Sequence, residues 1–169
     1  MKIKDKKEDF ISLTSNKELW EGVLNDSERS GVLTASAALE VMLEKLLKSF
    51  LVQNISTSTN IAEKSTFSQK INLCFSLGLI TDLERQDLNT LKEIRNAFAH
   101  HIFGCDFKNE EVKKYLLALK LPNAIKFPTD NIRTYFNIGM LMLDSALNDR
   151  LTQIQPLSQK PNLNYSPGV

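Results

Sequence analysis

Two helix-start signals fifteen residues apart, Thr66 with Gln69 and Thr81 with Glu84, constrain this chain more than any other feature. In such a box the threonine hydroxyl accepts from the backbone N–H three residues on. The Gln or Glu side chain reaches back to the threonine N–H, so two orphan donors are satisfied reciprocally. Gly78 falls between the boxes, where a left-handed residue can end a helix. One helix must therefore close near Gly78 and another must open at Thr81, and two helices joined by so short a turn pack antiparallel. The apolar spacing agrees. Phe67, Ile71, Phe75 and Leu77 follow the first box; Leu88, Leu91, Ile94 and Phe98 follow the second. The second helix runs to about His101, with Gly104 just beyond.

The same period recurs elsewhere. A short helix is predicted over Lys17 to Leu24, with Trp20 and Leu24 one turn apart. A long one is predicted over Ser27 to Val52, capped by Asp26 and carrying Leu39, Leu43, Leu46, Leu47 and Phe50. Asn54 to Ser65 is rich in Ser, Thr and Asn and reads as a loop. A helix over Glu110 to Leu119 carries Val112, Leu116 and Leu119 and ends at Pro122, Ala124 to Pro128 connects, and a last helix spans Asn131 to Leu151. No segment alternates as a strand does, no repeat is visible and no Gly-rich phosphate loop exists. The expected fold is an all-α, single-domain helical bundle of five to six helices. Residues 1–25 form an N-terminal segment with the short helix, 26–152 the bundle, and 153–169 a Gln-, Asn- and Pro-rich tail expected to be poorly ordered.

Composition excludes several function classes. The net charge of +1 gives no global argument for a nucleic-acid or membrane surface. Cys74 and Cys105 stand alone, without partners at metal-site spacing, so neither a metal nor another cofactor is expected. The mixed charge cluster Lys2 to Glu8 lacks the apolar core of a signal peptide, and no run of apolar residues is long enough to span a bilayer. A cytoplasmic protein without membrane contact is expected.

Two charges stand where apolar residues belong. On the second capped helix, Leu88, Leu91, Ile94, Phe98 and Ala99 fill one arc, and Arg95 falls in its middle. On the long helix, Leu33, Leu43, Leu47 and Leu51 define an arc that includes Ser36, and Glu40 projects into it. An unpaired buried guanidinium is costly, so Glu40 and Arg95 are candidate partners in a structural ion pair. Asn96 and His100 share the neighbouring stripe, as i,i+4 residues do, with Glu93 one turn before. Arg95 and His100 lie about 140° apart around an ideal helix. They can flank a groove or meet their copies across a two-fold axis.

The segment Phe67 to His100, FSQKINLCFSLGLITDLERQDLNTLKEIRNAFAH, resembles the mannitol-operon-repressor (MltR) family. The segment SGVLTASAALEVMLEKLL, Ser30 to Leu47, resembles that family's first long helix. The same block is similar to the wider HEPN group of helical nucleotide-binding domains, whose Arg-polar-x-x-x-His motif is matched by Arg95, Asn96 and His100. The HEPN likeness implies a helical domain that pairs into dimers and, in many members, metal-independent RNA cleavage in toxin–antitoxin or phage-defence systems. The MltR likeness implies a regulatory interaction module.

Two functions therefore stand open. In the first, the chain is a dimeric regulator acting through protein partners, a further regulator or an antitoxin among them. Sequence-specific DNA binding is not expected, because no helix-turn-helix with a basic recognition helix is present. In the second, RNA is the substrate. Arg95 stabilises phosphorane-like charge, His100 moves a proton and Asn96 orients His100 or a phosphate oxygen. Against both stands a structural role: Arg95 held by Glu40, and His100 favoured at a helix C-terminus by the macrodipole.

Overall fold

The computed structural model describes residues 16–100, 105–127 and 129–161. The charge cluster Lys2 to Glu8, His101, Gly104, Pro128 and the last eight residues of the expected tail lie outside them. The described residues form eight helices and no strand: α1 Lys17–Asn25, α2 Glu28–Phe50, α3 Ser56–Lys64, α4 Phe67–Ser76, α5 Asp82–His100, α6 Glu110–Leu117, α7 Lys120–Ala124 and α8 Ile132–Gln153. The fold is the all-α bundle that the periodicity implies, with two short helices beyond the expected number. No described helix is long and apolar enough to cross a membrane.

Both boxes at the α4–α5 junction form. Thr66 Oγ1 accepts from Gln69 N at 3.3 Å while Thr66 N donates to Gln69 Oε1 at 2.8 Å. Thr81 N donates to Glu84 Oε2 at 2.6 Å, and Glu84 N donates to Thr81 Oγ1 at 3.4 Å. Gly78 has φ +72°, Leu79 N donates to Cys74 O at 2.8 Å and Gly78 N to Phe75 O at 3.0 Å. That pair of bonds is the Schellman closure, and its left-handed position strains any residue with a Cβ.

α2 is the axis of the bundle and packs against α1, α3, α4, α5 and α8. Being covered from several sides, it has no single apolar arc; Ser36, Leu43 and Leu47 of the expected arc are buried and Leu51 is half-buried, but its first member is not. Leu33 is exposed, whereas Val32, Ala35, Leu39, Met42, Leu43, Leu46 and Leu47 are buried. Its N-cap is Ser27, whose hydroxyl accepts from Ser30 N; Asp26 instead accepts from Ser27 N and from the Ser30 hydroxyl.

Three further expectations give way to tertiary contacts. The segment read as a loop contains α3, a polar helix without a side-chain cap. It is held by buried Ala62 and by Glu63, whose carboxylate lies 2.7 Å from Lys48 Nζ on α2. Pro122 does not terminate a helix but sits in the first turn of α7, where its missing N–H is not needed. Gly139 lets α7 approach α8 closely: a Cβ there would lie 3.2 Å from both Leu119 Cδ1 and Pro122 Cγ. Phe75 is exposed with the Arg85 guanidinium over its ring, and Lys70 and Cys74 take the inward positions on α4.

Candidate functional site

The inward line of α5 is Glu84, Asp87, Leu88, Leu91, Ile94 and Phe98, at three- and four-residue steps. Arg95 follows Ile94 and lands at the rim of that line, with 39% of its side chain exposed. Ala99, expected in the core arc, is exposed. Arg95 Nη1 lies 3.5 Å from Glu40 Oε2 on α2, and its guanidinium carbon stands 6.0 Å from the centre of the Phe67 ring. A contact of that length between half-exposed groups is a loose ion pair rather than a bidentate fork.

Glu40 does not serve Arg95 alone. Its other oxygen lies 3.5 Å from Lys70 Nζ, and Lys70 donates to Glu44 Oε2 at 3.0 Å. Glu44 Oε1 in turn lies 2.9 Å from Lys48 Nζ, which reaches Glu63 on α3. The result is an alternating ladder, Arg95–Glu40–Lys70–Glu44–Lys48–Glu63, that ties α5, α2, α4 and α3 together. Lys70 is its buried centre, with 5% of its side chain exposed. Hydrogen bonds from Lys48 and Lys70 hold the Glu44 carboxyl below the usual carboxylate range. The sequence does contain the signal for Lys70, because it shares one arc of α4 with Phe67, Ile71 and Cys74.

Asn96 and His100 lie on the outward side of α5, exposed and one turn apart. Glu93, one turn before Asn96, is half-buried and its carboxylate stands 3.1 Å from Lys92 Nζ. The first turn of α2 braces the end of α5 that carries the motif. Arg29 Nη1 donates to Phe98 O at 2.5 Å, and Glu28 accepts from Phe107 N at 2.7 Å. Phe98 and Phe107 meet edge to face with ring centres 5.7 Å apart, and Phe107 continues to Phe136 of α8 at 5.2 Å. Within one copy, then, Arg95 faces the ladder while Asn96 and His100 face solvent.

The other end of α5 is charged and closed. Glu84, almost fully buried, receives Arg150 of α8 in a fork: Nη2 at 2.9 Å and Nε at 3.2 Å on Oε1, and Nε at 3.1 Å on Oε2. Asp87, fully buried, accepts from Lys120 N at 2.6 Å and Leu121 N at 2.8 Å, supplying from α5 the cap that α7 lacks. Burial outweighs those bonds and pushes the Asp87 carboxyl up from its ordinary value. Burial also pushes the Cys74 thiol up to about 12, so it stays protonated at neutral pH. Among the described residues no three His, Cys, Asp or Glu side chains gather where they could hold a metal ion.

No family model and no curated protein matches the chain. Among solved structures it is similar to a chain of the "X-ray structure of the MtlR-HPr complex from Escherichia coli", with a TM-score of 0.58 and 17% sequence identity, over 82% of this chain and 98% of that one. The chain has an MltR-like fold. The likeness is one of fold and leaves the roles of Arg95, Asn96 and His100 to the chemistry of the site.

Proposed function

We propose that this chain is a regulatory interaction module that works in two copies by docking a partner protein in the cytoplasm. The observation that carries this reading is the extent of the MltR-like fold, which spans nearly the whole of a chain solved in a complex with HPr. The site supports it. Arg95 is engaged by Glu40 in a ladder that joins four helices, a scaffold role, whereas Asn96 and His100 present an amide and an imidazole to solvent. Those are groups that a partner surface can hydrogen-bond. Any effect on transcription passes through the partner rather than through DNA contact. The test is titration calorimetry of the purified chain against HPr from the same organism. A saturable heat of binding is expected, weakened by His100→Ala and Asn96→Ala; a flat titration overturns HPr as the partner.

A second reading rests on the exposure of Asn96 and His100 beside a half-exposed Arg95: metal-independent RNA cleavage. The ribose 2′-oxygen would attack the adjacent phosphorus while the bond to the 5′-oxygen breaks, leaving a 2′,3′-cyclic phosphate and a 5′-hydroxyl. His100 would take or deliver the proton and Arg95 would offset the phosphorane charge. Arg95 and His100 diverge around α5 by about 140°, so this chemistry calls for a second copy to complete the site. Incubation with RNA in EDTA decides it. Cleavage abolished by both Arg95→Ala and His100→Ala supports the enzyme, and intact RNA removes it.

A further inference from the structure

α1 and α2 lie side by side as a hairpin: a Cβ on Gly31 would stand 3.1 Å from Val23 O. α1 is the shorter helix. Its N-cap, Asn16, shares a groove with Ala38 and Val41, and α2 runs on from there to Phe50 without that neighbour. Leu33, Thr34, Ala37, Val41 and Lys45 are exposed along the outer face of α2, and only Lys45 is charged. Val41 is 50% exposed. A solvent-facing helix stripe ordinarily carries charge, so this one marks a surface that something covers. The groove beside it holds about 330 Å³ and is lined by Asn16, Leu19, Ala38, Val41, Met42 and Lys45 among others.

The path of the chain says what is at hand to cover it. Residues before Asn16 lie outside the described ones, but Asn16 itself lines the groove, so the chain enters α1 from there. Phe10, Ile11, Ser12, Leu13, Thr14 and Ser15 precede it, with three large apolar side chains and no charge among them. Glu8 and Asp9 come just before. Six residues span about 9 Å even when coiled as a helix. By the same rise that is the length of α2 from Leu39 to Lys45, so Phe10 can reach the Lys45 end. A second copy fits less well. Crossing α2 antiparallel at Ala37, it would set Lys45 against Arg29, like charge on like.

We propose that the chain's own segment Phe10 to Ser15 docks in this groove, with Phe10, Ile11 and Leu13 over Val41 and Met42 and with Glu8 and Asp9 beside Lys45. The tether makes so small a contact sufficient. A segment joined directly to Asn16 meets the groove at an effective concentration of about millimolar or more, so apolar contacts too weak to hold a free peptide hold this one. Glu8 and Asp9 give Lys45 the opposite charge that the groove's lining does not supply. The α1–α2 face is then closed to outside partners, and docking falls to other surfaces, the Asn96 and His100 side of α5 among them.

Maleimide labelling of the full chain carrying Val41→Cys and Cys105→Ser tests this, since Cys74 is buried and stays protonated. The new thiol is expected to react at least about tenfold more slowly than in the same chain with Phe10→Ser, Ile11→Ser and Leu13→Ser. The rate is expected to be independent of protein concentration. Leu117→Cys, on α6 and 54% exposed, is expected to react equally with and without the three serines. Equal rates at Val41→Cys overturn the proposal. Protection that grows with protein concentration also overturns it, because the face then belongs to a second copy. Protection that appears only when HPr is added overturns it in favour of that partner. Acceleration at Leu117→Cys as well traces the effect to a loosened fold and removes the groove assignment.

Discussion

The two ends of α5 make opposite use of charge. At the N-terminal end Glu84 and Asp87 are buried, and each is met by more than one donor from α7 or α8. At the C-terminal end Arg95 is half-exposed on one long ion pair and the edge of reach of the Phe67 ring, and Asn96 and His100 face water. The buried carboxylates fix where α7 and α8 sit. Asn96 and His100 fix nothing comparable, and Arg95 adds one long contact to the ladder. The residues of the Arg-polar-x-x-x-His pattern are therefore the least bound into the fold, whereas Asp87 belongs to no pattern and Glu84 is marked in the sequence only as the return half of a capping box.

The sharpest way to break the contrast is Glu84→Ala. It removes the return half of a capping box and leaves Arg150 without its fork, and about 2–4 kcal/mol of unfolding free energy should be lost in urea titrations. Asp87→Ala comes next. It strands two backbone N–H groups at the start of α7, with an expected loss of about 2 kcal/mol. Hydrogen exchange should show Lys120 and Leu121 opening first.

Arg95→Ala and Glu40→Ala test the other end. An exposed pair at this distance contributes at most about 1 kcal/mol. Glu40→Ala should be the worse of the two, because it also deprives buried Lys70 of a neighbour. Equal, large losses would make Arg95 a buried structural ion instead. His100→Ala should change stability by less than about 0.5 kcal/mol while changing partner or RNA binding. A large loss of stability there would show that the exposed end is scaffold too.

The pH dependence separates the buried end from the ladder by sign. Asp87 has its folded-state pKa raised by burial, so the folded protein binds that proton more tightly than the unfolded chain. Its contribution is complete below the ordinary carboxylate value and is lost as pH rises through the raised one. Wild type should therefore lose stability relative to Asp87→Asn across that rise. Glu44 is held low by Lys48 and Lys70. Its contribution is present above the ordinary glutamate value and is lost as pH falls through the lowered one, a loss that Glu44→Gln should abolish.

Much of this fold is legible in local chemistry. Both capping boxes, the Gly78 closure and the apolar line of α5 depend on residues within a turn or two of each other. The proximity of Glu40 and Arg95 follows from two charges interrupting apolar arcs, although each lies at a rim rather than in the core. The failures share one cause. α3 and α7 are short, and one lacks a clear apolar period while the other contains a proline; α3 packs on α2 through Ala62 with Lys48 reaching Glu63, and α7 takes its cap from Asp87 of α5. On α2 the buried positions Leu39, Leu43, Leu46 and Leu47 were legible, but the outward turn of Leu33 was not, because five neighbours cover the helix from several sides.

By itself, then, the sequence determined an all-α chain, the antiparallel turn at Gly78 and the stripe that Asn96 and His100 share beside the apolar face of α5. Those follow from hydrogen bonds and side-chain spacing inside single helices. Only the tertiary structure decided that Glu84 and Asp87 are buried anchors, that Lys70 is the centre of a charge ladder and that Arg95 lies at its open end. Burial and pairing of a charge depend on which helix arrives opposite it, and that is a property of the packed bundle rather than of any one segment.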